Sequence, residues 1–505
     1  MTGTVTVVVV VVMLLLSGCA GSAAQAAGTV GGETPSDVVD TGWSEGVSNT
    51  ETDAETSRDA VASEPRPDPE TDVLGWENGY WYDDPLDVNA TDGIDDEEMA
   101  VLLARTMARV EHIRGHEFTR EVRVRVMTRE EYAAEGFYPL QDVGRTSRQL
   151  DQFYEAAFFV GEDENATEVA LNHSRGFPDA YYLFFSDEIV VVADEENLSR
   201  FDETLLAHEL GHALQDEYVP PTVLFENFGI LIRNYWDHYL VVRTLVEGDP
   251  SLMESFYAER CAEAWDCVTV AQTESNRTVV HGGMLAMDLY PYSDGTNFTA
   301  AVYERGLQGR EGWDAVDLMY ELAPSHAEQV THPDQYPFQY TAYPLVLHAP
   351  SDGWLRHPYP FHLGEPYVFA MFWYQSWEHD AGIVNASAFF VADGGAYDRY
   401  NYTSVPSTGW DGDTLVTYHR GEEDAYVWAT KWDTERDAVE FHDAYLKLLG
   451  HHGAVEVGPN TYVVPSGPYA DAFCVELEGR EVLVVNAPEV TDIPNVRPGT
   501  PATEA

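Results

Sequence analysis

His208 and His212 are the side chains that the sequence places best to hold one metal ion. They stand four residues apart, and Glu209 directly follows the first of them. In a helix this spacing puts both imidazoles on one face, where they can reach a single Zn²⁺. Glu209 would project beside the ion, where it could take a proton from zinc-bound water and later deliver it to a leaving amine. The pattern predicts zinc-dependent hydrolysis of peptide bonds. The alternative is a core helix whose two histidines have ordinary hydrogen-bond partners.

A third protein ligand must come from elsewhere in the chain. The metzincin class of zinc peptidases is excluded, because it needs a histidine six residues after His212 and this position holds Tyr218. Glu247 is a candidate, because it stands at the end of a second amphipathic segment at a suitable separation. Its competitors are Glu226, His238 and His281.

The elements that must position these side chains follow from local patterns. A helix is predicted from Ser199 to Tyr218, because its first residue or Asp202 could cap it and two consecutive prolines follow it. A second amphipathic helix is predicted over Ile230 to Val246, so that Glu247 stands at its end. A β-branched strand, Glu188 to Ala193, precedes the first helix at short range.

The rest of the chain predicts an α+β fold in two parts. Alternating residues indicate strands at Glu121 to Met127 and Tyr181 to Phe185, and a helix opens at Asp95. Gly364 to Trp377 is predicted as one more helix. Towards the C-terminus short strands surround one helix, Thr434 to Leu449, which indicates a small C-terminal α/β domain. The first part is therefore predicted to be mainly helical, with a small sheet.

Charge restricts the partners that the chain can have. Its 505 residues include 87 Asp and Glu against 27 Lys and Arg, a net charge of −60. The acids are spread along the whole chain, so self-repulsion opposes compaction in dilute buffer. In molar salt the Debye length falls to about 3 Å and most of this repulsion is screened. The composition is typical of a protein from a halophile and argues against nucleic acid as a partner.

The N-terminus predicts export and lipid attachment. An apolar run over residues 5–16 leads into a Leu-Ser-Gly-Cys sequence that ends at Cys19, which is typical of a lipoprotein signal peptide. The run is shorter than the roughly 20 residues that a transmembrane helix needs, although an uncleaved anchor is the alternative. Outside the cell, Cys261 and Cys267 are predicted to form a disulfide, and Cys474 is predicted to be a buried thiol. We expect an extracytoplasmic protein held at the membrane surface by a lipid on Cys19.

Residues 190–218 resemble a family of bacterial and archaeal gluzincin-type metallopeptidases. In that family a strand precedes a helix close to LAHEL[GT]HALQD, and a later helix ends in LVEGDA; residues 206–216 and 245–250 correspond here. The resemblance continues at residues 303–317 and 325–336. With the acidic composition and the N-terminal cysteine, the whole chain resembles a haloarchaeal surface-protein family. The resemblance implies a zincin-like fold, zinc ligation by His208, His212 and Glu247, and Glu209 as general base.

Pro250 departs from this family, which has alanine at the corresponding position. Inside a helix a proline would remove the hydrogen bond to the Val246 carbonyl. If Asp249 caps a new helix with Pro250 at its first position, Glu247 keeps its orientation; otherwise its ligation of zinc fails. Asp249 could instead accept the N–H of a ligating histidine. His332 could donate to the oxyanion of a tetrahedral intermediate, as a remote histidine does in related zinc peptidases, or it could be structural.

These patterns divide the chain into five segments. They are a signal peptide (1–19), an acidic disordered tether (20–72), a zincin-like catalytic domain (73–405), a small α/β domain (406–490) and a disordered tail (491–505). We expect peptides or proteins as substrates. The alternative is a non-catalytic surface or envelope protein that retains a zinc-binding helix pair. A sugar hydrolase is disfavoured, because no paired acidic motif is present.

Overall fold

The computed structural model describes residues 66–90, 93–135, 147–175, 179–184, 186–193, 202–219, 236–268, 281–338, 349–390 and 397–498. Within these ranges the chain is a mixed α/β protein. Cys19, Ser199, Glu226 and most of the predicted tether lie outside the described residues.

The N-terminal part combines helices with a small sheet. Its elements, in order, are β1 (Trp76–Glu77), β2 (Tyr80–Trp81), α1 (Asp96–Arg114), β3 (Arg123–Thr128), α2 (Arg129–Glu135), α3 (Ser147–Ala156), α4 (Ala166–Ser174), β4 (Ala180–Leu183) and β5 (Glu188–Ala193). β5 lies between β3, to which it is parallel, and β4, to which it is antiparallel. Its run of β-branched residues is buried from Ile189 to Val192, as expected for a central strand.

A group of helices follows the small sheet. They are α5 (Glu203–Tyr218), α6 (Trp236–Glu263), α7 (Gly282–Arg305), α8 (Trp313–Glu321) and the short α9 (Glu328–Thr331). Asp202, one of the two predicted caps, is the N-cap of α5, because its side chain accepts a hydrogen bond from the Thr204 N–H at 2.8 Å. The predicted helix over the histidine pair is therefore present and begins at Glu203.

Helix α6 continues through Pro250. It runs from Trp236 to Glu263 with the proline inside it. Asp249 therefore does not cap a new helix, and the predicted end of the helix at Val246 is wrong. The local rule fails because the Gln215 side chain of α5 donates a hydrogen bond to the Val246 carbonyl, which the proline leaves without its helical donor.

Helices α6 and α7 cross closely at a pair of glycines. A Cβ on Gly248 would lie 2.5 Å from the Gly295 carbonyl oxygen and 2.7 Å from Thr299 Oγ1. A larger residue at 248 would push the helices apart. Glu247 directly precedes Gly248, so this crossing fixes the position of Glu247 along the axis of α7.

The C-terminal part is built on one antiparallel sheet. Its elements are β6 (Leu355–Arg356), α10 (Gly364–Glu378), β7 (Trp410–Arg420), β8 (Glu423–Trp432), α11 (Glu435–His451), β9 (Val455–Gly458), β10 (Thr461–Val463), β11 (Ala472–Glu478), β12 (Glu481–Ala487) and α12 (Ile493–Val496). Among the described residues the sheet has seven strands in the order β6-β7-β8-β12-β11-β10-β9. It is larger than the cluster of short strands that the sequence predicted.

The predicted segment boundaries differ from the structure at three places. β6 and a bridge between Phe361 and Leu415 join the sheet from before residue 406. Ile493 and Val496 of α12 are 1% and 0% exposed, so the predicted tail 491–505 begins too early. The guanidinium of Arg66 pairs with Asp83, so the folded chain begins before residue 73. Local composition missed these contacts because the partners are distant in sequence.

The start of α6 rests on the C-terminal part. The Asp237 N–H donates to the His362 carbonyl at 3.0 Å, directly before α10. Asp413 of β7 accepts hydrogen bonds from the backbone N–H groups of Leu363 at 3.0 Å and Gly364 at 3.2 Å. The sheet thus holds the start of α10, which in turn holds the start of α6.

A single apolar core joins the two parts. Leu210 of α5, Leu245 of α6, Phe372 of α10 and Trp428 of β8 belong to one buried cluster. A second, smaller cluster fills the other face of the sheet, where α12 packs. Side chains alternate between the two clusters along β8 and β11, as the period of a strand requires.

The cysteines are a disulfide and a thiol. Cys261 and Cys267 form a disulfide near the end of α6, and Cys474 of β11 is buried and unpaired. Separately, no helix among the described residues is both long and apolar enough to cross a lipid bilayer.

Candidate metal centre

Three of the predicted ligands converge between α5 and α6. His208 Nε2 lies 3.2 Å from His212 Nε2, and these nitrogens lie 3.5 Å and 3.3 Å from Glu247 Oε2. His208, His212 and Glu247 are 1%, 4% and 0% exposed. The ligand atoms of all three point at one place in the interior.

The spacing of these atoms fits a tetrahedral metal ion. Zinc binds nitrogen and oxygen ligands at about 2.0–2.1 Å, so two ligand atoms of a tetrahedral site lie about 3.3–3.4 Å apart. The three observed distances bracket this value. Two imidazoles and one carboxylate are also the donor types that zinc prefers, and three ligands leave a fourth position for water or substrate. The residues present therefore fit a zinc ion.

The outer nitrogen of His208 is held by Glu254. His208 Nδ1 lies 3.0 Å from Glu254 Oε2. An ionised carboxylate only accepts, so Nδ1 carries the proton and the Nε2 lone pair faces the metal position. The sequence analysis did not find Glu254. Glu254 lies seven residues, or two helical turns, after Glu247. This spacing places both residues on one helical face only if α6 continues through Pro250, which the sequence did not predict.

Two carboxylates also determine the charge of His208. Burial disfavours the charged imidazole, but the hydrogen bonds that it donates to the carboxylates of Glu247 and Glu254 raise the pKa of His208 to about 10. Burial likewise opposes ionisation of Glu247, yet His212 and His208 hold the pKa of its carboxyl well below its usual range. The centre therefore attracts positive charge strongly, and a divalent cation would displace the proton of His208.

Gln215 holds His212 and also compensates for Pro250. Its Nε2 donates to the Val246 carbonyl at 3.1 Å, which is the carbonyl that loses its helical partner at the proline. Its Oε1 therefore faces His212 Nδ1, at 3.3 Å. Because an amide oxygen only accepts, His212 must donate from Nδ1 and present the Nε2 lone pair to the metal position.

Asp249 occupies a different place from the one predicted. Its carboxylate accepts hydrogen bonds from Tyr320 Oη at 2.9 Å and from Arg114 Nη2 at 3.1 Å. Tyr320 Oη in turn accepts from Gln215 Nε2. Asp249 thus reaches His212 through Tyr320 and Gln215, and the predicted direct contact with a ligating histidine is replaced by this chain.

Glu209, the predicted general base, is 1% exposed and lies on α5 beside the first ligand. Its charge is among those that raise the pKa of His208, which agrees with a position close to the centre. Two predicted competitors of Glu247 are used elsewhere. His238 Nδ1 contacts the Ser325 carbonyl at 3.2 Å, and His281 is the N-cap of α7.

His332 belongs to another cluster. Its Nε2 lies 2.8 Å from Glu365 Oε2. Burial lowers the pKa of His332, but Glu365, Glu328 and Asp433 together raise it above its usual value. None of these acids belongs to the metal centre, so the structure does not bring His332 together with the predicted ligands.

Arg243 is a polar group beside the centre that the sequence analysis missed. It lies one helical turn before Glu247 and is 5% exposed, and its Nη1 donates to Asp288 Oδ1 at 2.9 Å. Its Nε and Nη2 are buried, and the guanidinium also shares a side-chain hydrogen bond with Tyr239, one turn earlier on α6. Tyr292, whose ring centre lies 6.1 Å from that of His208, flanks the same side. Guanidinium donors can bind a carbonyl or carboxylate oxygen.

Comparisons with known proteins concern the C-terminal part. A family model described as a domain of unknown function (DUF8575) matches residues 358–497. No curated protein and no solved structure matches the chain. The matched segment contains α10 and β7 to β12, and it excludes α5 and α6, which carry the metal centre.

Proposed function

We propose that this chain is a zinc-dependent metallopeptidase of the gluzincin type, with a zincin-like catalytic domain. The observation that supports the proposal most strongly is the convergence of His208, His212 and Glu247 at tetrahedral spacing, with Glu209 next to the first ligand. The three side chains come from two helices and are separated by up to 39 positions in the sequence. A chance motif in a core helix would not recruit a buried carboxylate to the same point.

The proposed chemistry assigns one task to each residue. A zinc ion held by the three ligands would act as a Lewis acid and would lower the pKa of water at its open position to about 7. Glu209 accepts a proton from the attacking water and delivers it to the leaving amine. Glu254 and Gln215 keep both imidazoles oriented. The positive guanidinium of Arg243, one helical turn from Glu247, would stabilise a substrate oxygen as that oxygen gains negative charge.

The decisive variant is Glu209→Gln, tested on the full chain in molar KCl with a mixture of peptides. Removing the base lowers the turnover number by about 10²–10⁴-fold, because general acid–base catalysis contributes that much. Zinc content, measured by atomic emission, stays at one per chain, because Glu209 is not a ligand. Glu247→Gln loses both zinc and activity.

Glu259→Gln is the matched control, because it makes the same change on an exposed position of α6. It keeps zinc and turnover. Peptide cleavage by Glu209→Gln at the rate of the unchanged chain would contradict the proposed mechanism.

Low exposure of the centre favours one alternative. Glu209 and Glu247 are 1% and 0% exposed, which suits a zinc ion that stabilises a surface or envelope protein without catalysis. In that case zinc raises the unfolding temperature, but neither the unchanged chain nor Glu209→Gln cleaves peptides. The same two measurements thus separate the alternatives.

We further propose that the protein acts at the outer surface of a halophilic, archaeal-type cell. The N-terminal sequence that ends at Cys19 supports lipid attachment, and the net charge of −60 supports a saline environment without nucleic acid partners. Retention of a Cys19→Ser chain in the membrane fraction would contradict the lipid anchor.

A further inference from the structure

A second group of possible metal ligands shares no residue with the group that contains the histidine pair. Glu155 near the end of α3, Glu162 in the following loop and Asp471 before β11 each offer one carboxylate oxygen, and these oxygens lie within 4.8 Å of one another. The group joins the N-terminal helices to the C-terminal sheet. The proposed peptidase mechanism does not use it.

Glu155 has no hydrogen-bond partner for its carboxylate among the described residues, although it is only 7% exposed. One turn earlier on α3, Gln152 Oε1 is also buried without a partner in the described chain. A buried carboxylate without donors is costly, because nothing replaces the water that it loses. The carboxylate of Glu155 therefore lacks the donors that a complete hydrogen-bond network would supply, and a ligand between the three carboxylates could take their place.

The charges around the group are unbalanced. The ionisable groups that act most strongly on Glu155 are all acids: Asp471, Glu162, Asp424 and Asp151. Arg148, an arginine on the same helix as Glu155, is held by Asp424 at 2.7 Å. Asp471 accepts a hydrogen bond from Asn486 Nδ2 at 2.7 Å and also shares a side-chain hydrogen bond with Glu162. A cation bound between the three carboxylates would supply the absent positive charge.

We propose that Glu155, Glu162 and Asp471 bind a calcium ion. All the ligand atoms that the protein offers are carboxylate oxygens, which hard cations such as calcium prefer, whereas zinc prefers nitrogen and sulfur ligands. Calcium accepts six to eight oxygens in irregular geometry, so the exposed Glu162 leaves room for water ligands. Magnesium is less suitable, because it demands a nearly ideal octahedron.

The site lies where two segments already meet closely. The Glu162 N–H donates to the Pro468 carbonyl at 2.8 Å, and a Cβ on Gly161 would lie 2.2 Å from Pro468 Cβ. The ion would bind carboxylates from both segments, since Glu155 and Glu162 belong to one segment and Asp471 to the other. It therefore stabilises the junction between the helical part and the sheet.

The test uses the full chain in calcium-free molar KCl with one equivalent of zinc. Calorimetric titration with CaCl₂ gives one ion per chain, and calcium raises the unfolding temperature by a few degrees. Glu155→Gln and Asp471→Asn lower the calcium affinity by at least about tenfold, because each removes a charged ligand. Without calcium these variants are at least as stable as the unchanged chain, because they remove buried negative charge.

This reversal of the stability order is the result that a purely structural role would not give. Glu168→Gln, on the exposed surface of α4, is the matched control and keeps the calcium response. Glu247→Gln also keeps it, which separates this site from the zinc centre. Absence of binding heat, or variants that respond to calcium like the unchanged chain, would overturn the site, and an equal response to magnesium would overturn the choice of calcium.

Discussion

At the scale of residues, the second layer of side chains explains how a proline is tolerated in the helix that carries a proposed ligand. Gln215 gives its amide hydrogen to the Val246 carbonyl and its oxygen to His212, so one side chain repairs the helix and orients the imidazole. Stability of α6 and geometry of the centre are thereby connected. Removing the Gln215 side chain should lower both the stability of α6 and the affinity of the centre for zinc. Replacing Pro250 as well should restore the stability alone.

We predict that Gln215→Met lowers the free energy of unfolding by about 1–3 kcal/mol, because the Val246 carbonyl loses its donor in the interior. Zinc affinity falls by about 10–100-fold, because His212 loses the acceptor of its Nδ1 proton. Adding Pro250→Ala restores a helical N–H to the carbonyl and recovers most of the stability, but not the zinc affinity. Denaturant unfolding without zinc and competition with a zinc chelator measure the two quantities. An equal loss of stability with and without the proline would contradict this account.

The ligands could be predicted from sequence, whereas the residues behind them could not. The spacing of His208 and His212 is a local property of a helix. The contact of Gln215 with Tyr320 spans 105 residues, and it depends on the packing of α5, α6 and α8. The sequence gives no measure of such packing, and this is why Asp249 was predicted at a histidine rather than at Tyr320.

At the scale of elements, the cap of α7 makes the fold sensitive to acid. His281 Nδ1 accepts a hydrogen bond from the Met284 N–H at 3.1 Å, and its Nε2 donates to the Phe159 carbonyl at 2.8 Å. This arrangement needs a neutral imidazole. Burial lowers the pKa of His281 to about 4, although its hydrogen bond to the Phe159 carbonyl acts in the opposite direction.

We predict that stability falls as the pH drops from about 6.5 towards 4. The folded state binds a proton on His281 less readily than the unfolded chain, so the contribution is fully present above pH 6.5 and is lost on the way to the folded pKa. It amounts to about 3 kcal/mol. His281→Asn keeps a capping oxygen but cannot titrate, so its free energy of unfolding changes less over this range. The same slope in both chains would show that other groups cause the loss.

Local signals located most elements but not their ends. The strand over Glu188–Ala193 has the predicted bounds. Its continuous run of β-branched residues is a local signal of a central strand that is buried on both faces. The second helix was predicted to end at Val246 and instead ends at Glu263. Proline rules describe an isolated helix, and here a side chain from α5 replaces the missing donor.

At the scale of the whole molecule, charge opposes the fold in dilute solution. The net charge is −60, while buried pairs such as Arg105 and Arg109 with Glu203, at 2.9 Å and 2.7 Å, are shielded from salt. We predict that the free energy of unfolding rises steadily from low to molar KCl, because screening weakens repulsion between exposed acids but not these buried contacts. Denaturation by urea, which is uncharged, measures it. A stability independent of KCl would contradict the prediction.

The mixed fold was predictable from composition and periodicity, but the division into two domains was not. The change from predicted helices to short predicted strands near residue 406 suggested a domain boundary there. However, β6 and α10, which precede residue 406, pack with the C-terminal sheet. The matched family segment, 358–497, also starts before it. Side chains that pack across such a boundary have no local signature.

The hydrogen bonds between Asp413, the start of α10 and the start of α6 connect the C-terminal sheet to the helix that carries Glu247, the proposed zinc ligand. A shortened gene that keeps both histidines but stops before residue 406 would encode α10 without Asp413 and the strands that hold its start. The smallest fragment worth producing for structural work therefore extends through α12, even if the hydrolytic chemistry takes place entirely in the helical half.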